Sequence, residues 1–353
     1  MLRSRLLVLA ALVLPACTAT TTSNGPVGED PSNPSNPSDP SNPSDPKTPD
    51  PKTPDPPAKV VFEYSTVPMP ASNLSIGSIG GSSASDVWIV GIASNATSQD
   101  PWNAYHYDGS QWTTQTLTGI SKGRPNFGAA SLGSGAFFGF SYSGDVYQLA
   151  GTSLTKVASF SVTSGYSMAT VGQSVFVGTQ ENFGAGPLYK LSGGTSKQVA
   201  GLTKNLGGVQ AIWGASEEDV WLARSESLGR LQGGTYSDVD TSSGVSDVHG
   251  SAKDDVWAVG EGGVKHFDGT KWSPVTFPVT GTSRYDQPTR VTALSKDEVI
   301  VTTGDGKVYR YDSGAFVKES RTSAPKTAGQ IGRIGGEAWM IDGTSIARLA
   351  PKK

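Results

Sequence analysis

Four side chains could supply the commonest nucleophilic or metal-ligating chemistry: the lone cysteine, Cys17, and three histidines, His106, His249 and His266. A zinc site needs three or four converging ligands, and a serine nucleophile needs a histidine held between it and a carboxylate. His106 and His266 stand at matching places in two similar segments, "AYHYDGSQW" and "VKHFDGTKW", where further copies carry Gln148, Lys190, Arg230, Arg310 and Arg348. A side chain set by its place in a repeat reads as a structural slot, expected to hydrogen-bond between neighbouring repeats or to meet solvent. His249 aligns in the same way with Trp213 and Gly80. The sequence has no GxSxG elbow, no phosphate loop and no EF-hand loop, and "GSIGGS" precedes a strand rather than a helix, so no cofactor and no metal are expected. Asp286 beside Arg284 and Arg290 is the one local group suited to acting on a polysaccharide.

The elements that must position these residues recur. "AYHYDGSQW" returns in altered form at Val146, Leu188, Leu228, Val264, Val308 and Ile346, about seven copies spaced roughly 36 to 44 residues apart, a period typical of propeller blades. Alternating apolar and polar residues mark each copy as a strand, and Asp-Gly or Gly-Gly after it suits a tight hairpin. Before each copy runs a nearly continuous apolar strand such as "DVWIVG", "DVWLAR" or "DVWAVG", expected to be buried on both faces. Trp88, Trp221, Trp257 and Trp339 fall on these strands and read as core; Trp112 and Trp272 open fourth strands and read likewise. A shorter strand precedes these, as in "VQAIWG", "VSDVHG" and "VTALSK". Four strands per unit predict an all-β, closed β-propeller of about seven blades, with six as the competing count. The last copy ends after three strands, and "KVVFEYSTV", Lys59 to Val67, is the spare strand that would close the ring as the outer strand of the last blade.

The pattern "GSxxDVWAVG…HYDGSxW" resembles the propeller repeats of secreted bacterial proteins, often lipoproteins, that are distantly similar to Asp-box and photosystem-assembly-factor propellers. The resemblance covers nearly all of Lys59 to Lys353 and implies a fold rather than an activity. Asp108-Gly109 and Asp268-Gly269 lack the serine two residues ahead that an Asp-box carries, so no sialidase is implied.

Ahead of the repeats, residues 1–17 read as an export signal: Arg3 and Arg5 precede an apolar run from Leu6 to Leu14 that is too short to span a bilayer. Leu14-Pro15-Ala16-Cys17 resembles the lipobox of bacterial lipoproteins, which implies cleavage before Cys17 and its acylation, palmitate included. Thr18 after the cysteine implies the outer membrane or cell surface. Residues 18–57, rich in Pro, Ser and Asp, form no core; proline at every third position favours an extended spacer reaching about 80 to 100 Å. Residues 58–353 form the propeller domain, expected to be monomeric. Its basic and acidic residues nearly balance within a chain of formal charge -3, so nucleic acid is not an expected partner.

In a four-stranded blade the connections from strand two to three and from strand four to the next blade share one face. Irregular sequence concentrates there: Ile92 to Asn103, Thr118 to Phe127, Thr179 to Pro187, Pro278 to Arg290 and Ser320 to Gln330. Loops on a rigid scaffold are where binding usually resides, and Trp102, Arg124, Phe127, Phe183, Arg284, Tyr285 and Arg290 supply the aromatic and Arg side chains that carry interface energy. The sequence therefore predicts a lipid-anchored binding or scaffold module for a protein or glycan, with a polysaccharide hydrolase or lyase as the alternative.

Overall fold

The computed structural model describes residues 60–352, except positions 94–101, 119–124, 133–134, 141–143, 152, 161–166, 182–183, 203–205, 241–242, 279–282, 284 and 343–344. The leader, Cys17 and the Pro-rich segment lie outside the described residues. The described residues form seven antiparallel four-stranded sheets, the blades of a β-propeller, with no α-helix among them. Six blades run in simple chain order from inner to outer strand.

The seventh blade combines the two ends of the domain. Its inner three strands are Gln330–Ile334, Glu337–Ile341 and Ile346–Pro351, and its outer strand is Phe62–Val67, paired antiparallel from Phe62 opposite Pro351 to Val67 opposite Ile346. This settles the count at seven. An ion cluster adds to the ladder: Arg321, between blades 6 and 7, pairs with Glu298 and Glu319 at 2.7 Å each. Tyr64 of the closing strand donates to Glu319 at 3.1 Å. Burial, and then the Glu319 charge, push the Tyr64 phenol far above its ordinary range, so it stays a donor.

Second strands are buried along their length, as Asp255–Gly260 and Glu298–Thr303 show, because a neighbouring blade packs on each face. The apolar core is accordingly divided into seams between adjacent blades. One seam joins Val90, Trp102 and Leu117 of blade 1 to Phe138 and Leu149 of blade 2; another joins Val67, Ile341 and Ile346 of blade 7 to Val87 and Ile89 of blade 1. Hairpins on one face turn on glycine: Gly109 and Gly269 sit at φ 98° and 94°, where other residues are strained, and Asp108 and Asp268 each accept the backbone N–H groups two and three residues ahead.

Three sequence boundaries shift. "GSIGGS" lies inside the inner strand Leu74–Ser83. Thr179 to Pro187, expected as a loop, is largely strand, since Ser174–Glu181 and Gly184–Ser192 pair almost to their connection. The inner strand of blade 6 is Pro288–Ser295, three residues earlier than "VTALSK", which takes Arg290 out of the loop; proline is tolerated there as the first strand residue.

Inner strands approach closely enough that some positions exclude any side chain. A Cβ on Gly80 would lie 2.0 Å from the Ala129 carbonyl oxygen of blade 2. Gly80→Ala is therefore expected to lose about 2–3 kcal/mol, the cost of overpacking against backbone, whereas Gly201→Ala, with nothing within 4 Å, stays near neutral. Denaturant unfolding of both variants checks this, and equal midpoints would contradict the close packing.

Candidate functional site: the channel and its mouth

Most of the residues with chemical potential are engaged in holding blades together. Asp86 opens a second strand, bonds His106 Nε2 at 3.1 Å and accepts from Trp88 Nε1 at 2.8 Å, while the Trp88 and His106 rings stack at 4.3 Å. Asp255, His266 and Trp257 repeat the arrangement at 2.7, 3.1 and 4.3 Å. In blade 4 Arg230 pairs with Asp219 at 2.7 Å and lies over Trp221, and in blade 7 Arg348 pairs with Glu337 at 2.6 Å and lies over Trp339. These contacts stay within a blade, which corrects the expectation of bonds between repeats. The cause is register: third-strand position and acid sit on adjacent strands of one sheet, as in the pairings of Trp88 with His106 and Trp257 with His266. Lys190 is the exception, reaching Glu217 of blade 4 at 2.6 Å. Burial raises the carboxyls of Asp86 and Asp255, yet the hydrogen bonds they accept outweigh it and hold both below the ordinary value.

The inner strands enclose a channel of about 870 Å³. Their pairing with the second strands defines its levels. Gly80, Trp213, His249 and Gly332 each pair with a second-strand tryptophan and form one level. One step nearer the loop-bearing face, Ser78, Ser167, Ala211, Asp247, Arg290 and Gln330 pair with residues two positions beyond those tryptophans or their counterparts Phe176 and Ile300. Five of those six residues are polar or charged.

Asp247 organises this level. It is buried, accepts Val248 N at 3.0 Å and Val291 N at 2.9 Å, and pairs with Arg333, which reaches it from blade 7 across blade 6. Arg333 also donates to the Val291 carbonyl at 2.6 Å. Burial lowers the Arg333 pKa; Asp247 opposes this and the like charge of Arg290 adds to it. Below Asp247, His249 Nδ1 accepts Ala293 N at 3.1 Å, so the neutral ring carries its proton on Nε2. Burial, then Arg333, push this imidazole well below its ordinary value.

On the loop-bearing face the channel opens into a depression of about 760 Å³ between blades 6 and 7, lined by Gln210, Ser246, Arg290, Asp305, Gln330 and Asp342 among others. Asp305 is held by Lys307 at 2.7 Å, and Lys307 also reaches Asp286 at 3.4 Å. Tyr285, 56 % exposed, accepts Asp305 N through its carbonyl and so stands on the rim.

Of the residues marked by sequence, Arg290 lines this depression, Tyr285 bonds through its carbonyl to Asp305 of the lining, and Asp286 pairs with Lys307. Trp102 is 9 % exposed and packs in the seam between blades 1 and 2, so its indole serves the core. Phe127 lies in the inner strand Pro125–Leu132, and Arg124, Phe183 and Arg284 lie outside the described residues. Sequence reasoning passed over Ser78, Ser167, Asp247, Gln330 and Arg333. Asp247 carried a signal, being an acid inside the apolar strand "VSDVHG".

No protein-family model matches the chain, and no curated protein matches it. Its fold is similar to that of solved propellers. Catalytically inactive virginiamycin B lyase from Staphylococcus aureus with quinupristin matches with a TM-score of 0.63 and 15% identity, over 83% of this chain and 100% of that one. YCF48 bound to D1 peptide matches at 0.58 and 14%, over 82% and 97%. The WD40 propeller domain of Doa1 matches at 0.58 and 11%, over 84% and 98%. Identities this low establish a shared fold alone, one that serves a lyase and binding proteins alike.

His249 gives the channel a measurable pH signature. Its folded pKa is depressed, so below about 6.5 the unfolded chain binds a proton that the native state refuses. Stability from this group is complete above that pH and falls below it by about 1.4 kcal/mol per pH unit until the folded pKa is reached. His249→Asn, whose Oδ1 takes the place of Nδ1 as acceptor for Ala293 N, is expected to flatten the stability curve between pH 6.5 and 5 relative to the native chain; parallel curves would contradict the assignment.

Proposed function

We propose that this protein is an exported, lipid-anchored binding module, held away from a bacterial outer membrane by its Pro-rich segment and engaging a protein or glycan through the loop-bearing face. The observation that carries the reading is the inequality of the two faces. On one, hairpins close in short Asp-Gly and Gly-Gly turns, and the acids beside them are paired with Arg230, Arg348 or hydrogen-bonded to His266. On the other, a depression opens between blades 6 and 7, lined in part by the exposed Arg290 and by Asp305, whose backbone N donates to the carbonyl of the exposed Tyr285. Aromatic and Arg side chains beside a concavity are what binding surfaces use. Binding would then need no chemistry from the protein, only rigid presentation of several loops together. The likeness to YCF48 bound to D1 peptide and to a WD40 domain supports the reading at the level of fold. A second reading, an enzyme acting on polysaccharide, rests on the grouping of Asp286 with Arg284 and Arg290 in the sequence.

Crosslinking on intact cells separates the two. A discrete protein or glycan captured by the native chain is expected to be lost with Arg284→Ala plus Tyr285→Ala, and retained with Asp286→Asn. Equal capture by all three would overturn the face assignment, and loss of polysaccharide turnover in Asp286→Asn would establish the enzyme instead. The anchor has its own check: labelled palmitate is expected to enter the native chain and to be absent from Cys17→Ser, which leaves the membrane fraction.

A further inference from the structure

The inner strands of blades 1, 4, 5 and 6 each carry an extra residue at the same level. In blade 4, Val209 pairs with Arg224 and Ala211 with Ala223, so Gln210 stands opposite no residue. Ser246 in blade 5 and Thr289 in blade 6 are left out of their ladders in the same way, and Gly77 is the counterpart in blade 1. A β-bulge disrupts its ladder locally and re-aims the side chain it carries, and bulges are over-represented beside functional sites. The bulges that bear a side chain, Gln210, Ser246 and Thr289, all line one concavity, the depression of about 760 Å³ on the loop-bearing face, together with Gln330 from blade 7.

The rest of the wall is braced by backbone bonds. Asp305 N donates to the Tyr285 carbonyl at 2.7 Å and Gly304 N to the Gln287 carbonyl at 3.1 Å; on the other side Ala328 N donates to the Gly306 carbonyl at 2.8 Å and Gly329 N to the Ile341 carbonyl at 2.8 Å. The connection between the second and third strands of blade 6 is thus tied both to the segment before its inner strand and to the approach to blade 7. A concavity fixed in this way costs little ordering when a ligand enters.

Its hydrogen-bonding groups are mainly neutral. Gln210 donates its amide to Ser225 Oγ at 2.9 Å and Gln330 donates its amide to the Ile76 carbonyl at 2.9 Å, with the carboxamide oxygens remaining as acceptors. Thr289 donates to the Thr302 carbonyl at 3.3 Å and keeps its own acceptor capacity, while the Ser246 hydroxyl can both donate and accept. The charges along the wall cancel: Asp305 is paired with Lys307 at 2.7 Å, and the exposed Arg290 is offset by Asp342. No aromatic side chain, the usual anchor of a protein interface, is among the described lining residues, and the half-buried Ile76 offers apolar contact.

We propose that this depression binds a neutral sugar unit of a glycan, whose hydroxyls, each both donor and acceptor, are matched by Gln210, Ser246, Thr289 and Gln330. The inference rests on the binding reading above and selects glycan over protein at that same face.

Neutral trisaccharides are the probes: cellotriose, maltotriose and triacetylchitotriose, with acetyl-trialanine amide as a stand-in for a protein segment. Saturation-transfer NMR on the full chain is expected to show saturable binding of at least one trisaccharide and none of the peptide. Binding should persist at high salt, because no ion pair is involved. Gln210→Ala combined with Ser246→Ala should weaken it at least about tenfold, as expected for two hydrogen bonds of ordinary strength. Ser246→Thr, which keeps the hydroxyl, should retain most of the affinity, and Thr270→Ala on the opposite face should leave it unchanged. Circular dichroism and the thermal midpoint verify that the double variant is folded. Absence of saturable binding by every trisaccharide, equal binding by the double variant, or binding of the peptide in their place would overturn the proposal. Partner capture on cells that persists when no trisaccharide binds would overturn the sugar and leave the binding module with a protein partner. Trisaccharide binding without any partner capture would keep the site and remove the larger reading.

Discussion

Ring closure is the constraint on which the rest of this structure depends. Seven blades pack through seams between neighbours, so the first and last blades must meet as tightly as any other pair. Pairing Phe62–Val67 with Ile346–Pro351 satisfies this by ending the ring with a strand from each end of the domain. The Tyr64, Glu319, Arg321 and Glu298 cluster ties the same strand to blade 6. An open ring would leave the Ile346–Pro351 edge unpaired and would widen the channel on which Arg333 depends to reach Asp247.

Given closure, the polar residues divide by level. Triads of acid, tryptophan and a third-strand polar group sit where the second strands begin, and in blades 4 and 7 the acid and the guanidinium neutralise one another within the blade. At the channel level of Asp247 and Arg290, neutralisation runs between blades and is incomplete. Two of the histidines that first attract attention in the sequence, His106 and His266, therefore belong to the scaffold.

Repetition made the fold legible. Each "DVW" strand and each Asp-Gly turn is a local signal, and their recurrence fixed strand order and blade closure, including the origin of the last outer strand. The site was less legible, because its members come from inner strands of different blades and share no local motif. Arg333 could not be linked to Asp247 from sequence, since the contact spans blade 6 and arises only when the ring closes. Arg290 reads from sequence as a loop residue, because Pro288 hides the start of its strand. Trp102 looked exposed because a long connection precedes it, yet its indole completes an apolar seam.

The central claim is that one face of this propeller, and not the other, meets a partner. A photo-crosslinking residue placed at Tyr285, on the rim of the mouth, and separately at Thr270, in the opposite-face turn after Asp268-Gly269, tests it in intact cells. The account predicts a discrete adduct from position 285 and none from position 270. Adducts of equal yield at both positions, or from position 270 alone, would contradict it.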